Sequence, residues 1–134
     1  MRNVIILIIF IVLFACSLER NNPFENEIAP SAIGSEYFSI TKISVDSIRI
    51  NWEPTSATND AIFADGYYIY RSGWENGNYS IADTHFTSMN LEYFDIDNNG
   101  ELNFDENHYW YKISAFITTS SGDFEGYRSV AKTW

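Results

Sequence analysis

Two short segments rich in aromatic and aliphatic residues constrain the fold of this chain most. They are GYYIYRS at 66–72 and HYWYKISAF at 108–116. In such segments residues two apart share a face, so Tyr67 and Ile69 lie on one side of the first strand. A repeat of two residues predicts β-strands with one buried face. Since no apolar repeat of 3.6 residues is sustained anywhere, we predict an all-β chain.

Five further segments have strand-like alternation and are separated by turn residues. They are residues 37–43, 45–52, 79–82, 91–96 and 126–134. Pro54 ends the second of these, because proline cannot donate to a central ladder. Seven short strands in about 100 residues predict a seven-stranded sandwich of two sheets. The residues expected in its core are Trp52, Tyr67, Tyr109, Tyr111 and Ile113.

The order INW (50–52), GYYIYRS (66–72) and YWYKISA (109–115), followed by a Ser/Thr-rich loop and a final strand, resembles a fibronectin type III domain. The resemblance covers residues 31–134 and implies an immunoglobulin-like sandwich with Trp52 as its core tryptophan on strand B. It also implies that Tyr109 opens strand F and that its hydroxyl closes a corner against the backbone. The usual Leu-x-Pro-Gly lead-in is absent, and residues 95–106 take its place.

An apolar run at residues 4–14 follows Arg2 near the N-terminus. The run is too short to span a bilayer comfortably, since about 20 apolar residues are needed, but it suits a secretory signal. Leu-Phe-Ala-Cys at 13–16 resembles the lipobox of bacterial lipoproteins, whose cysteine becomes lipidated. Cys16 is the only cysteine in the chain and cannot form an internal disulfide. The alternative is a plain signal peptide, or an uncleaved anchor, with an incidental cysteine.

The lipobox resemblance implies a division of the chain and a location. Residues 1–15 would be a lipoprotein signal peptide, residues 16–30 the lipidated cysteine with a flexible tether, and 31–134 the globular domain. Ser17 after the cysteine resembles an outer-membrane sorting residue. We therefore expect an exported, lipid-anchored protein at the outer membrane or cell surface.

The net charge of the chain limits the classes of partner that we expect it to bind. Eighteen Asp and Glu stand against eight Lys and Arg, a net charge of −10. Because no basic stripe is present, we expect no nucleic-acid partner. Attraction of this acidic chain to anionic lipids is also not expected, so the acyl chains of the lipid anchor would have to attach it to the membrane. Several acyl chains bind a membrane firmly, whereas a single chain binds only marginally.

The segment DIDNNGELNFDE at 95–106 matches the spacing of a calcium-binding EF-hand loop. Calcium takes about six to eight oxygen ligands, and the glycine of the motif falls at Gly100. The spacing predicts a possible calcium site formed by Asp95, Asp97, Asn99, the carbonyl of Glu101, Asn103 and Glu106. An ion there would brace the loop between strand E (91–96) and strand F (108–116).

A β-hairpin is the alternative for the same segment. If residues 98–100 form a three-residue loop, Ile96 faces Leu102 and Phe94 faces Phe104, and the apolar side chains share one face. The exit of the segment alternates as a strand, whereas an EF-hand continues as a helix. Both interpretations remain open at this stage.

The aromatic residues, 17% of the chain, suggest a binding surface. Tyr68 and Tyr70 on strand C (66–72) and Trp110 on strand F (108–116) should point away from the core, and Trp74 follows in a turn. Grouped exposed aromatics mark a protein or glycan surface. They could equally be ordinary sheet covering, packed beneath loop 53–65 or against a second copy.

Catalytic patterns are missing from the sequence. His85 and His108 have no spaced metal partner, and there is no nucleophile elbow or phosphate loop. We therefore predict a non-catalytic envelope lipoprotein that binds an unknown protein or glycan, of undetermined oligomeric state. One alternative is an assembly subunit or spacer that pairs through edge strand 127–133. Another is an accessory to a surface polysaccharide-binding system.

Overall fold

The computed structural model describes residues 29–54, 64–86 and 90–134. The predicted signal peptide, Cys16 and the tether up to residue 28 lie outside these ranges. Within them the chain forms a short 3₁₀ helix, Ser35–Tyr37, and seven strands. The strands are β1 (Phe38–Ser44), β2 (Ser47–Trp52), β3 (Gly66–Ser72), β4 (Ser80–His85), β5 (Glu92–Ile96), β6 (Trp110–Thr119) and β7 (Gly122–Glu125).

None of the helices in the described ranges has the length and apolar character needed to cross a bilayer.

The strands form two antiparallel sheets. One sheet has the order β1-β2-β5 and the other the order β4-β3-β6-β7. In the first, Ile50 lies opposite Ile40 and Tyr93; in the second, Ile69 lies opposite Ile113. These registers align the inward residues of neighbouring strands into two apolar layers that pack together. The predicted all-β, two-sheet sandwich is confirmed.

The core lies between the sheets, where alternation placed it. Trp52 (5% exposed), Tyr67, Tyr111 and Ile113 are buried as predicted. The Trp52 ring lies edge-on to Tyr67, with centroids 5.4 Å apart. Tyr109 is only half-buried and packs against the edge of this core. Burying each large apolar side chain contributes roughly 1.5–3 kcal/mol to stability, and so the core residues hold the two sheets together.

The predicted hairpin between Phe94 and Phe104 is wrong. Strand β5 pairs with β2, and residues 97–109 contain no strand. Phe104 is 2% exposed, whereas Phe94 is 42% exposed. The N–H of Phe104 donates to the carbonyl of Val45 at 3.1 Å. The loop therefore folds across the end of the sandwich, where Phe104 reaches the core, instead of pairing with β5.

The last strand differs from the prediction of residues 126–134. The regular ladder is β7, and the chain beyond it follows β6 irregularly. Gly126 N–H donates to Ala115 O, and Ser129 N–H to Ile113 O, each at 2.8 Å. The ladder is broken because the Ser129 hydroxyl accepts the Ile113 N–H at 3.0 Å in place of a carbonyl. A Cβ at residue 126 would lie 2.1 Å from the carbonyl oxygen of Pro30, so this position requires glycine.

Candidate functional site

An open groove of about 370 Å³ lies at the end of the four-stranded sheet where β6 begins. We call it the tryptophan groove; it is lined by Gly73, Trp74, Glu106, Asn107, His108, Tyr109 and Trp110. Trp110 opens β6 opposite Ser72, the last residue of β3, and Trp74 follows that strand in a turn. The fold thus brings together two aromatics that are 36 positions apart.

The turn after β3 holds Trp74 in place. The Ser72 hydroxyl accepts a hydrogen bond from the Trp74 N–H at 3.2 Å, and the Gly77 N–H donates to the Trp74 carbonyl at 3.1 Å. A Cβ at residue 77 would lie 2.6 Å from the Ser72 hydroxyl oxygen, so the turn closes only with glycine there. Trp74 is 78% exposed, and a rigid turn therefore presents a large indole ring to solvent.

A second turn forms the opposite wall of the groove. The Asn103 side-chain oxygen accepts the N–H groups of Asp105 and Glu106, each at 3.0 Å. The Asn107 N–H donates to the Asn103 carbonyl at 2.9 Å. Asn103 therefore acts as a cap that orders the turn, and the turn sets the positions of Glu106 and Asn107.

A layer of aromatic rings supports this wall. Phe104 lies edge-on to Tyr109 and Trp134, with centroid distances of 5.5 and 5.8 Å. His108 stacks on Trp134 at 5.0 Å. Packed rings have few accessible rotamers, and so the polar groups of the wall stand on a rigid base.

The lining of the groove combines two kinds of chemistry. The indole rings of Trp74 and Trp110 offer flat apolar faces, while Glu106, Asn107 and His108 offer a carboxylate, an amide and an imidazole. Such a mixture suits a ligand with both apolar faces and hydrogen-bonding edges. Sequence reasoning missed Asn107 and His108, although both lie between Glu106 and Trp110.

Tyr68 and Tyr70, the other two predicted partner-binding residues, do not line the groove. Tyr70 is 3% exposed, so its predicted exposure is wrong. The Arg128 guanidinium carbon lies 3.8 Å from its ring centroid, and its hydroxyl donates to Glu125 at 2.7 Å. Tyr68 is half-buried and stacks on Phe116 at 4.5 Å. The side chain of Arg128, from the segment after β7, covers the Tyr70 ring.

Asp95, the first predicted calcium ligand, points into the protein and is 3% exposed. Both of its oxygens accept hydrogen bonds from the Arg71 guanidinium, at 2.8 and 2.7 Å. The Tyr111 hydroxyl donates to one of them at 2.7 Å. Asp95 belongs to one sheet and its partners to the other, so the contact joins the two layers as an intersheet clamp.

The intersheet clamp also changes the expected tyrosine corner. The resemblance assigned the corner hydroxyl to Tyr109, but the inward hydroxyl on this strand is that of Tyr111, bonded to Asp95. Burial, followed by the Asp95 carboxylate, raises the pKa of Tyr111 above its ordinary value. Tyr111 therefore stays protonated as a donor at neutral pH.

The Asp97 side chain forms hydrogen bonds within its own loop. Its carboxylate accepts the N–H groups of Asn99 at 3.3 Å and Glu101 at 3.0 Å. Desolvation acts to raise the pKa of Asp97, but these backbone hydrogen bonds outweigh it and lower the pKa. The loop is thus closed by its own amides.

As folded, the loop does not present its six predicted oxygens as one calcium ligand set. Asp95 is held in the intersheet clamp, and no three acidic, His or Cys side chains in the described ranges are placed to share a metal ion. Calcium binding stays a prediction, and a calcium titration that leaves the melting temperature unchanged would count against it.

Glu125 should make the free energy of unfolding depend on pH in the acid range. Burial acts to raise its pKa, but hydrogen bonds from Ser114, Tyr70 and Arg128 outweigh burial and hold the pKa below its ordinary value of 4.5. A carboxylate whose pKa is lower in the folded state than in the unfolded state stabilises the fold fully at pH values above its unfolded-state pKa. This stabilisation is lost as the pH falls through the folded-state pKa. We therefore expect Glu125→Gln to flatten the loss of stability below about pH 4.5.

This pH dependence is measured by urea denaturation at several pH values between neutral and strongly acid. Glu36→Gln, on the exposed 3₁₀ helix, is the matched charge control. If the free energy of unfolding falls with decreasing pH equally steeply in Glu125→Gln and in the wild type, Glu125 is not the source of the pH dependence.

The sequence and the structure differ in what they match among known proteins. No protein-family model and no curated protein matches the sequence. The structure matches an Fn3-like protein from Clostridium thermocellum, with a TM-score of 0.53 and 21% identity over 80% of this chain and 91% of that one. It also matches the twitchin kinase region from C. elegans (TM-score 0.52, 12% identity, 80% of this chain and 16% of that one) and a myokine (0.50, 13%, 80% and 94%). The chain has a fibronectin type III fold.

In this fibronectin type III fold, β2, β3 and β6 are the predicted strands B, C and F. The tryptophan groove lies beside the turn after strand C and the loop that enters strand F. A shared fold does not by itself establish a function, so the function is argued from the residues of the groove.

Proposed function

We propose that this chain is a lipid-anchored envelope protein that binds a saccharide chain in the tryptophan groove without converting it. The observation that carries the proposal is the meeting of Trp74, 78% exposed, with Trp110 beside three polar side chains in one groove. A sugar ring has an apolar face of C–H groups and an edge of hydroxyls, and the groove offers a partner for each.

The shape of the groove favours a chain ligand over an enclosed small molecule. Its volume of about 370 Å³ falls within the range of about 300–1,000 Å³ found for ligand sites. The groove is open to solvent, so a ligand can extend beyond it. This arrangement supports binding of an internal stretch of a polysaccharide.

Export and lipid attachment complete the proposal. The apolar run at 4–14 and the cysteine at the end of residues 13–16 support a lipoprotein signal. The polar residues between Cys16 and Pro30 would act as a tether that lets the domain move near the membrane. The protein would then hold a polysaccharide at the outer membrane or cell surface.

Loss of either tryptophan should weaken saccharide binding. We expect Trp110→Ala and Trp74→Ala each to weaken binding at least about tenfold, because each removes one stacking face. Binding is measured by isothermal titration calorimetry with neutral hexasaccharides of glucose in β-1,4, β-1,3 and α-1,4 linkage. Tyr127→Ala is the matched control, since Tyr127 is 81% exposed and lies outside the groove.

Two results of this experiment would go against the proposal. If Trp110→Ala binds as tightly as the wild type, the groove is not the binding site. If the wild type binds no saccharide and forms a dimer that is lost on changing residues 127–133, the assembly subunit is the better function.

Replacement of Cys16 should prevent lipid attachment. Because the acyl chains provide the attachment, we expect the wild type in the detergent phase of a Triton X-114 partition and Cys16→Ser in the aqueous phase or with its leader retained. Ser17→Ala keeps the cysteine and should stay lipidated. Mass spectrometry that shows an unmodified Cys16 in the mature wild type would refute the lipid anchor.

A further inference from the structure

We infer that the tryptophan groove selects uncharged saccharides and rejects those bearing carboxylate, sulfate or phosphate groups, with Glu106 as the residue that sets this selectivity. The inference rests on the proposed function and adds the chemical class of the ligand. It follows from the charges that line the groove and from the contacts of the cations beside it.

The lining of the groove carries negative charge only. Among the described residues, the seven that line it include Glu106 and neither lysine nor arginine. Glu75 follows Trp74 in the first turn and is exposed; Asp105, which precedes Glu106 in the second turn, is paired with Lys42. An anionic ligand would therefore approach carboxylates on both sides of the groove.

The cations beside this end of the sandwich are already engaged. Arg71 lies 5.8 Å from the Tyr109 ring centroid, but its guanidinium is held by both oxygens of Asp95. The Lys42 ammonium contacts Asp105 and the carbonyl of Phe104. Each of these charges is therefore matched by an acidic group of the protein.

Lys112, two residues after Trp110 on the same face of β6, is the remaining cation to consider. Its ammonium lies 4.5 Å from the centroid of the Tyr79 ring. A cation held over an aromatic face gains attraction there and would have to leave it to reach a ligand in the groove. Lys112 therefore has a partner within the protein and does not line the groove.

Hydrogen bonding points in the same direction as charge. A carboxylate accepts hydrogen bonds and cannot donate them. The hydroxyls of a neutral sugar can donate to Glu106, whereas a ligand carboxylate or sulfate cannot. The net charge of −10 on the chain adds a repulsive field that lowers the local concentration of anionic ligands.

The test compares two matched hexasaccharides in calorimetric titrations. One is the neutral glucose hexamer that binds best, and the other is hexagalacturonate, which carries a carboxylate on every ring. We expect the anionic hexamer to bind the wild type at least about tenfold more weakly at about 20 mM salt, and the difference to narrow at about 0.5 M salt, where charges are screened.

Variants at Glu106 identify the source of the selectivity. Glu106→Gln keeps the size of the side chain and should reduce the difference in affinity between the two hexasaccharides. Glu106→Lys should bind hexagalacturonate more tightly than the neutral hexamer. Glu106 is exposed, so both variants should fold, which near-ultraviolet circular dichroism and the melting temperature would check. Trp110→Ala should weaken binding of the neutral hexamer at least about tenfold, because it removes one stacking face.

The outcomes separate the inference from the proposed function. If hexagalacturonate binds the wild type as tightly as the neutral hexamer, the inference is overturned and the saccharide-binding function stands. If the difference persists unchanged in Glu106→Gln and Glu106→Lys, the role of Glu106 is overturned. If the wild type binds neither hexamer, both the proposed function and the inference fail.

Discussion

Replacement of Asp95 by alanine should lower the free energy of unfolding by about 3–5 kcal/mol, the range for breaking a buried ion pair. Asp95 is 3% exposed and is the partner of Arg71 and Tyr111 across the two sheets. Its removal leaves a guanidinium and a hydroxyl without their acceptor. Because the Arg71 side chain is 27% exposed, water can reach it, and we expect the lower end of that range.

The measurement is urea denaturation followed by far-ultraviolet circular dichroism. Asp105→Ala is the matched control, because Asp105 is exposed and its pair with Lys42 lies at the surface; such pairs contribute about 0–1 kcal/mol. The triple variant Asp95→Leu, Arg71→Met, Tyr111→Phe, which leaves neither the guanidinium nor the hydroxyl without an acceptor, should recover much of the loss, since apolar residues often replace a buried pair without penalty. A loss below about 1 kcal/mol for Asp95→Ala would refute the clamp.

Replacement of Phe104 by alanine should lower the free energy of unfolding by about 3–5 kcal/mol, as for other buried aromatic side chains. Phe104 is 2% exposed and lies against the rings of Tyr109 and Trp134. Truncation would open a cavity at the end of the core. It would also loosen the wall of the groove, and so saccharide binding should weaken together with stability.

Phe94→Ala is the control for this prediction. Phe94 is 42% exposed and its truncation should cost less than about 1 kcal/mol, because it removes little buried area. A hairpin between the two residues would place them opposite each other on one face and make the two losses similar. Equal losses in urea denaturation would therefore contradict the position of the loop across the end of the sandwich.

The loop at residues 97–109 links stability to the proposed binding site. Its apolar anchor, Phe104, belongs to the core, while Glu106 and His108 from the same loop line the groove. The cap formed by Asn103 joins the two parts. The segment that the sequence marked as a possible metal loop therefore acts here as a structured support for a surface groove.

The amino-acid sequence alone determined the architecture and much of the core. The repeat of two residues in 66–72 and 108–116 predicted strands that bury Tyr67, Tyr111 and Ile113, and these residues are buried. Local alternation was sufficient there because a shift of the strand by one residue would turn these side chains away from the core. The sequence also selected Trp74 and Trp110, which the fold then brings to one groove.

The tertiary structure alone decided the outcomes that depend on distant partners. In β5, Asp95 points inward and Phe94 and Ile96 outward, which reverses the orientation that hydrophobicity favours, because Arg71 and Tyr111 on the other sheet bind the carboxylate. Tyr70 is covered by Arg128, 58 positions away. Periodicity is a local property, whereas a charge partner or a covering side chain depends on the path of the whole chain, and so only the folded structure shows it.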